Sequence, residues 1–216
     1  MSLLILVRHG QSVWNAENRF TGWVDAPLTD LGREEAAAGG QRLAEAGVHV
    51  DRAFTSTLTR AIETGRIILD GMGQADLEQE RAWQLNERFY GALTGRDKAQ
   101  TAEEFGVEQV KIWRRSYDTP PPGGESLKDT TARTLPYFRD VVLAACREVG
   151  TVFVAAHGNS LRAVVKELDG LSDAEVVALE IATGIPIVYD LDGAGVPTSK
   201  RILQPAAPAG VEQTTN

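Results

Sequence analysis

Apolar residues fall along this chain in two kinds of run. Leu3–Val7 ("LLILV") and residues 152–156 ("VFVAA") are short, aliphatic and unalternated, as strands buried on both faces are. The stretches between them carry apolar residues at helical spacing. "PLTDLGREEAAAGGQRLAEAG" predicts a helix with Thr29 as its cap, acidic residues in the first turns and Gly47 as its stop. "DRAFTST" predicts a strand, and "LTRAIETGRIILDGMG" a helix ending in glycines. Residues 77–90 fit strand or loop equally. "KAQTAEEFG" and "VEQVKIWRRSY" are two shorter amphipathic pieces, and "DTPPPGGES" is a loop, since its prolines suit neither helix nor central strand. A long helix is expected from about Ser126 to Glu148, then the second apolar strand, then a helix over "SLRAVVKELDG". "IPIVYDLDGAGVPTSKRIL" predicts two strands around a "DGAG" turn, and "QPAAPAGVEQTTN" a mobile tail.

Strands that alternate with helices imply a mainly parallel sheet with helices on both faces, a three-layer α/β/α sandwich. No internal repeat and no domain linker interrupts it. The expected organisation is one domain over residues 1–204, with residues 91–128 inserted at the cleft over one edge of the sheet and residues 205–216 a flexible tail.

Composition narrows the function. The 216 residues carry a formal charge of −8, which argues against nucleic acid or an acidic membrane surface as the partner. The single cysteine, Cys146, excludes an internal disulfide and sits in the apolar "VVLAAC", so a buried helical thiol is expected. The opening "MSLLILVRHG" has no basic leader and no cleavage site, and no apolar run is long enough to span a bilayer, so a cytoplasmic protein is expected.

Both apolar strands stop at a histidine followed by glycine: "LLILV-RHG" and "VFVAA-HGN". Open α/β sheets bind ligands at the carboxyl ends of their strands, so His9 and His157 are placed for a shared site. The third histidine, His49, lies outside the pattern and reads as a surface residue. Arginines supply the site's chemistry. Arg8 adjoins the first histidine, Arg60 falls near the start of a helix at the same edge, and Arg114 and Arg115 form a doublet in the insertion. Guanidinium forks and helix N-termini both suit phosphate, although the doublet alone fits a solvated basic face. There is no HExxH, cysteine cluster, P-loop or GxGxxG, so neither metal nor nucleotide chemistry is expected.

The segments "LVRHGQSVWNAENRFTGWVDAPLT", "TSTLTRAIET", "LNERFYGALTG", "WRRSYDTPPPGGES" and "AAHGNSLRA" together resemble the cofactor-dependent phosphoglycerate mutases of the histidine phosphatase superfamily. The resemblance runs in order from residue 3 to about residue 203. It implies a phosphoglycerate-mutase-like fold and a glycolytic and gluconeogenic isomerase. That enzyme interconverts 3-phosphoglycerate and 2-phosphoglycerate, is primed by 2,3-bisphosphoglycerate and needs no metal. His9 falls on the family's phosphorylated nucleophile. Arg8, Arg60 and His157 match the residues that hold the transferring phosphoryl group, and Glu87 matches the general acid–base. Phosphate neighbours are expected to raise the Glu87 pKa from its ordinary range near 4.3. Without the resemblance, a salt bridge to Arg88 is the better reading of Glu87. Ser12, Asn15, Thr21 and Gly22 match hydrogen-bond donors to substrate. Arg88, Tyr90, Lys98, Arg114 and Arg115 match the grip on its far end, with Gly158 and Asn159 at a helix start. Trp14, Trp23 and Trp113 read as packing residues.

The direct "TPPPGGESLKD" connection is that of the family's short form, whose members span monomers, while long members are often small homo-oligomers. Assembly is left open between the two. Two rivals remain at this point: a phosphatase that uses the same phosphohistidine, and a phosphate-ligand sensor without turnover. In the family the C-terminal tail closes over the site, and the same role or none is open to residues 204–216.

Overall fold

In a computed structural model that describes residues 2–205, the first apolar run forms strand β1 (Ser2–Arg8). Neither of its faces reaches water. Leu4 and Leu6 are buried against one helical layer, Ile5 and Val7 against the other. The elements that follow are α1 (Val13–Ala16), α2 (Asp30–Glu45), β2 (Arg52–Thr55), α3 (Thr59–Gly71) and β3 (Gln79–Arg81). Next come α4 (Lys98–Phe105), α5 (Val107–Arg115), α6 (Leu127–Tyr137), α7 (Leu143–Val149) and β4 (Thr151–Ala156). The described chain ends with α8 (Gly158–Asp169), α9 (Asp173–Ala178), β5 (Ile187–Leu191) and β6 (Pro197–Ile202).

One six-stranded sheet runs β3-β2-β4-β1-β5-β6. The four strands from β3 to β1 are parallel, and β5 and β6 each pair antiparallel with the strand before them in that order. The antiparallel edge follows from the short "DGAG" turn, because a parallel return needs a long crossover. Helices α2 and α3 cover the face formed by Ile5, Val7, Ala53, Phe153 and Ala155. Helices α6, α7 and α8 cover Leu4, Leu6, Phe54, Val152 and Val154 on the opposite face. The expected three layers are therefore present. A small third cluster, Phe20, Leu93 and Val110 packed by Tyr90 and Trp113, roots α4 and α5 beside the cleft.

Two stretches differ from their prediction. Residues 77–90 give only the three-residue edge strand β3, a single 3-10 turn at Trp83–Leu85, and then irregular chain that leads into the cleft. The predicted helix from Ser126 to Glu148 is interrupted by a wide π turn at Phe138–Val142. Pro136 lies immediately upstream and has no N–H for the helical ladder, the ordinary cause of such a break. Ser126 caps the helix as expected, accepting the Asp129 N–H. Residues 206–216, most of the tail for which a closing role or none was open, lie outside the described residues.

The turn after β1 rests directly on the start of α2. Thr29 caps α2 by accepting the Gly32 N–H at 3.0 Å, and its own N–H donates to the Gln11 carbonyl at 2.9 Å. A Cβ on Gly10 would stand 2.1 Å from the Gly32 carbonyl oxygen, and one on Gly32 would stand 2.1 Å from that of Gln11. Only glycine permits this approach at both positions. Gly32→Ala is expected to cost about 3 kcal/mol or more in urea unfolding, the upper range for overpacking against backbone. Gly71→Ala, whose new methyl would meet Gly40 at an ordinary 3.7 Å, is expected to be neutral or stabilising by under about 1 kcal/mol.

Candidate active site

The parallel register of β1 and β4 sets Arg8 opposite Ala156, so the two His-Gly pairs leave the sheet side by side. The His9 N–H donates to the Ala156 carbonyl at 3.0 Å, and the His9 and His157 rings lie 4.9 Å apart. His9 Nδ1 is 2.7 Å from the Gly10 carbonyl, which can only accept. That contact puts the proton on Nδ1 and leaves a lone pair on Nε2. Burial, then the charges of Arg60 and Arg8, hold the His9 pKa well below the usual imidazole value. The ring is therefore neutral at pH 7 and its Nε2 is available as a nucleophile.

Arg60 leaves the start of α3, 1% exposed, and donates through Nε to His9 Nε2 at 3.3 Å. Its terminal nitrogens donate to the Gly22 and Val24 carbonyls, each at 2.8 Å. Burial brings its pKa down to about 10, which still leaves it charged at neutral pH. Because backbone carbonyls hold it in place of a carboxylate, its charge remains available to an anion.

His9 faces a cavity lined by the sequence-predicted Arg8, Asn15, Thr21, Gly22, Arg60, Glu87, Tyr90, Lys98, Arg114, Arg115, Gly158 and Asn159. Six cations line it against two carboxylates, Glu87 and Glu180, in a chain whose net charge is −8. Within the lining itself, Arg8 Nε and Thr21 Oγ1 are buried and have no hydrogen-bond partner among the described residues. Unpaired buried donors of this kind fit an anionic guest.

Three predicted residues stand behind the lining. Ser12 is wholly buried and caps α1: its Oγ accepts the Asn15 N–H while Asn15 Oδ1 accepts the Ser12 N–H. The Asn15 Nδ2 group remains for the cavity. Arg88 turns away, because its backbone N–H serves Glu87 while its guanidinium donates to the Tyr90 hydroxyl and the Arg114 carbonyl. It props the wall that carries Tyr90 and Arg114. His157 is fully buried beneath the floor, with Nε2 2.7 Å from Ser56 Oγ.

Glu87 makes no salt bridge with Arg88, correcting the alternative reading of that pair. Its Oε1 accepts the Arg88 N–H at 2.6 Å and Asn159 Nδ2 at 2.7 Å. Burial pushes its pKa up, but these donors and the Arg60 and Arg8 charges outweigh burial and hold it below the usual carboxylate range. The protein's own field thus acts opposite to the expected rise, for which phosphate charge would have to supply the push. Trp23 is more than a packing residue: its indole N–H donates to the Glu87 carbonyl. Trp113 packs with Phe20, Leu93 and Val110, as expected. His49 is exposed and Cys146 buried, also as expected.

Arg162, Glu180 and Ile181 also line the cavity and were missed from sequence. Arg162 was legible, since it lies three residues after Asn159 on the same face of α8. Glu180 and Ile181 come from an irregular segment after α9 and carry no local signal. Glu180 pairs with Arg115 at 2.6 Å and with Arg162 at 3.5 Å.

Together these groups can hold a phosphoryl-sized anion against a neutral imidazole, with a carboxylate beside it for proton transfer. They define an α/β phosphoryl-transfer site. The model of the histidine phosphatase superfamily (branch 1) matches residues 4–198, and the chain belongs to that family. A 2,3-bisphosphoglycerate-dependent phosphoglycerate mutase of Parvibaculum lavamentivorans is 54% identical over 202 residues, covering 94% of this chain and 96% of its own. Its namesake from Methylocella silvestris is 53% identical over 203 residues, covering 94% and 98%. Among solved structures, a mycobacterial glucosyl-3-phosphoglycerate phosphatase complexed with VO3 is similar, with a TM-score of 0.77 at 26% identity, over 88% of this chain and 93% of that one. No helix among the described residues is long and apolar enough to cross a membrane.

Lys98 provides a test of the cavity's charge. Burial, then the Arg114 and Arg8 charges, bring its pKa down to about 8. Its ammonium attracts an anion below that pH and loses its charge above it. The KM for an anionic substrate is therefore expected to rise as pH passes through about 8. Lys98→Met is expected to remove that step and raise KM at pH 7 by roughly tenfold, the scale of one charge-assisted hydrogen bond. Steady-state kinetics from about pH 6.5 to about pH 9 check both.

Proposed function

We propose that this protein is a 2,3-bisphosphoglycerate-dependent phosphoglycerate mutase, interconverting 3-phosphoglycerate and 2-phosphoglycerate through phosphohistidine at His9. The observation that carries the reading is a neutral His9 Nε2 and the Glu87 carboxylate facing one cation-lined cavity. Relatives that are 53% and 54% identical over nearly their whole length bear the mutase name, which supports it.

2,3-Bisphosphoglycerate supplies the phosphoryl group that charges His9. The unpartnered Arg8 Nε and the Arg60 guanidinium fit that group's equatorial oxygens, where charge accumulates during transfer. At the far end, Lys98 and Arg114 have no carboxylate partner among the described ion pairs and fit a second anionic group. Two cationic ends let a doubly anionic three-carbon substrate bind in either direction, which an isomerase needs and a hydrolase does not.

In the forward step, the substrate's 2-hydroxyl oxygen attacks phosphorus as the N–P bond to His9 Nε2 breaks. The hydroxyl proton passes to Glu87. After the bisphosphate turns round, its 3-phosphoryl group returns to Nε2 and Glu87 gives the proton back to the 3-oxygen. Glu87, held low by its donors, is an ionised base at neutral pH for the first half of this exchange. Backbone N–H groups at the start of α8, at Gly158 and Asn159, add partial positive charge to the same wall.

Consumption of 3-phosphoglycerate coupled through enolase, with and without 2,3-bisphosphoglycerate, tests the reading. Stimulated isomerisation is the expected result. Release of inorganic phosphate without isomerisation would instead make the chain a phosphatase. His9→Ala is expected to abolish turnover and acid-labile phosphate incorporation. Glu87→Gln is expected to keep KM within a few-fold and lower kcat by about 10²–10⁴-fold, the range for a general acid–base group. A loss under about twofold would leave Glu87 without that role.

A further inference from the structure

We propose that Arg162 is a positioning residue for proton transfer: it fixes the Asn159 amide so that Glu87 is held through Oε1 and exchanges protons through Oε2. The inference rests on the reading of Glu87 as the acid–base group and adds the part of the structure that aims it.

Arg162 has a side chain only 12% exposed and lies in α8, one turn from Asn159. Its Nε donates to the Leu179 carbonyl at 2.8 Å, and its Nη1 to Asn159 Oδ1 at 3.3 Å. A guanidinium can only donate and an ionised carboxylate can only accept. With Arg162 on one side and Glu87 on the other, the buried Asn159 amide has a single consistent orientation, Oδ1 towards Arg162 and Nδ2 towards Glu87.

The consequence lies in how Glu87 is occupied. Oε1 accepts three N–H groups: Arg88 N at 2.6 Å, Asn159 Nδ2 at 2.7 Å and Asn159 N at 3.3 Å. Oε2 accepts none among the described residues. It lies towards Gly158 and Arg8: a Cβ on Gly158 would stand 3.7 Å from Oε2 and 3.6 Å from Arg8 Nε. The loaded oxygen is the anchor and the free one meets the substrate. The segment that takes Arg162 also takes Arg8, whose Nη1 donates to the Ile181 carbonyl at 2.8 Å. One stretch of backbone therefore registers the phosphoryl-binding arginine and the acid–base support together.

The titratable groups that share the cavity with Glu87 are Arg8 and the neutral His9 at the end of β1, Arg60 from α3, Lys98 from α4, Arg162 from α8 and Glu180 after α9. Arg133 from α6 reaches only the Glu87 backbone carbonyl. Loss of the Asn159 donor removes one of the contacts that oppose burial, so protonation of Glu87 becomes easier.

Arg162→Met is therefore expected to move the acid limb of the kcat/KM profile up by about one pH unit, a tenfold loss on that limb. Asn159→Ala is expected to give a similar shift, and the double variant no further one. Shifts that add in the double variant, or an Arg162→Met profile that overlays the wild type, would overturn the inference. Arg162→Lys covers a failure to fold. One ammonium replaces the fork that serves both Leu179 and Asn159, so a partial shift is expected, and a wild-type profile would show that charge alone suffices. Glu87→Gln separates the two readings. If it keeps the acid limb, the acid–base assignment has failed, whatever the Arg162 variants do.

Discussion

The parallel ladder between β1 and β4 is the constraint on which the site depends. Both strands are buried on both faces, so a slip of one residue would exchange the side chains fitted to the two helical layers and disrupt the packing of each. That fixed register carries Arg8 opposite Ala156 and places His9 and His157 together at the strand ends. The Gly10–Gly32 contact then locks the turn that follows, and with it the carbonyl that holds the proton on His9 Nδ1. The chemistry of one ring nitrogen is thus set by core packing on two sides of the sheet.

Electrostatics complete the site against the trend of the whole chain. Buried Arg60 and Arg88 would each be costly as isolated charges. Both are held chiefly by carbonyl and hydroxyl oxygens, which satisfy donors without neutralising charge. Carboxylates that could quench the cleft are kept in particular places. Asp25 is engaged by Thr59, Glu125 by Arg133, and Glu180 covers Arg115 and Arg162 at the outer rim. The result is a pocket that favours a small, multiply charged anion in an acidic protein.

Most of the frame was legible because strong periodicity and cap chemistry write it locally. The two aliphatic runs, the Thr29 cap and the glycines beyond the helices each fix an element with few residues. The paired His-Gly endings placed His9 and His157 together, since strand ends in such sheets share an edge. What was not legible depends on distant partners. Strand β3 is three residues long and exists only by pairing with β2. The π turn after Pro136 looks like ordinary helix in its apolar spacing. The contacts of the Arg88 guanidinium with the Tyr90 hydroxyl and the Arg114 carbonyl depend on the chain direction after Glu87, which its motif does not specify. Glu180 reaches the cleft from an irregular segment whose position is set by contacts with Arg8 and Arg162.

The central claim is that His9 carries the phosphoryl group on Nε2, because Nδ1 is committed to the Gly10 carbonyl. Phosphorus NMR of the denatured phosphoenzyme, charged with 2,3-bisphosphoglycerate and compared with authentic phosphohistidine isomers, tests it most directly. The account predicts a single Nε2-phosphohistidine signal that maps to the His9 peptide. A signal from the Nδ1 isomer, or one that maps to His157, would contradict it.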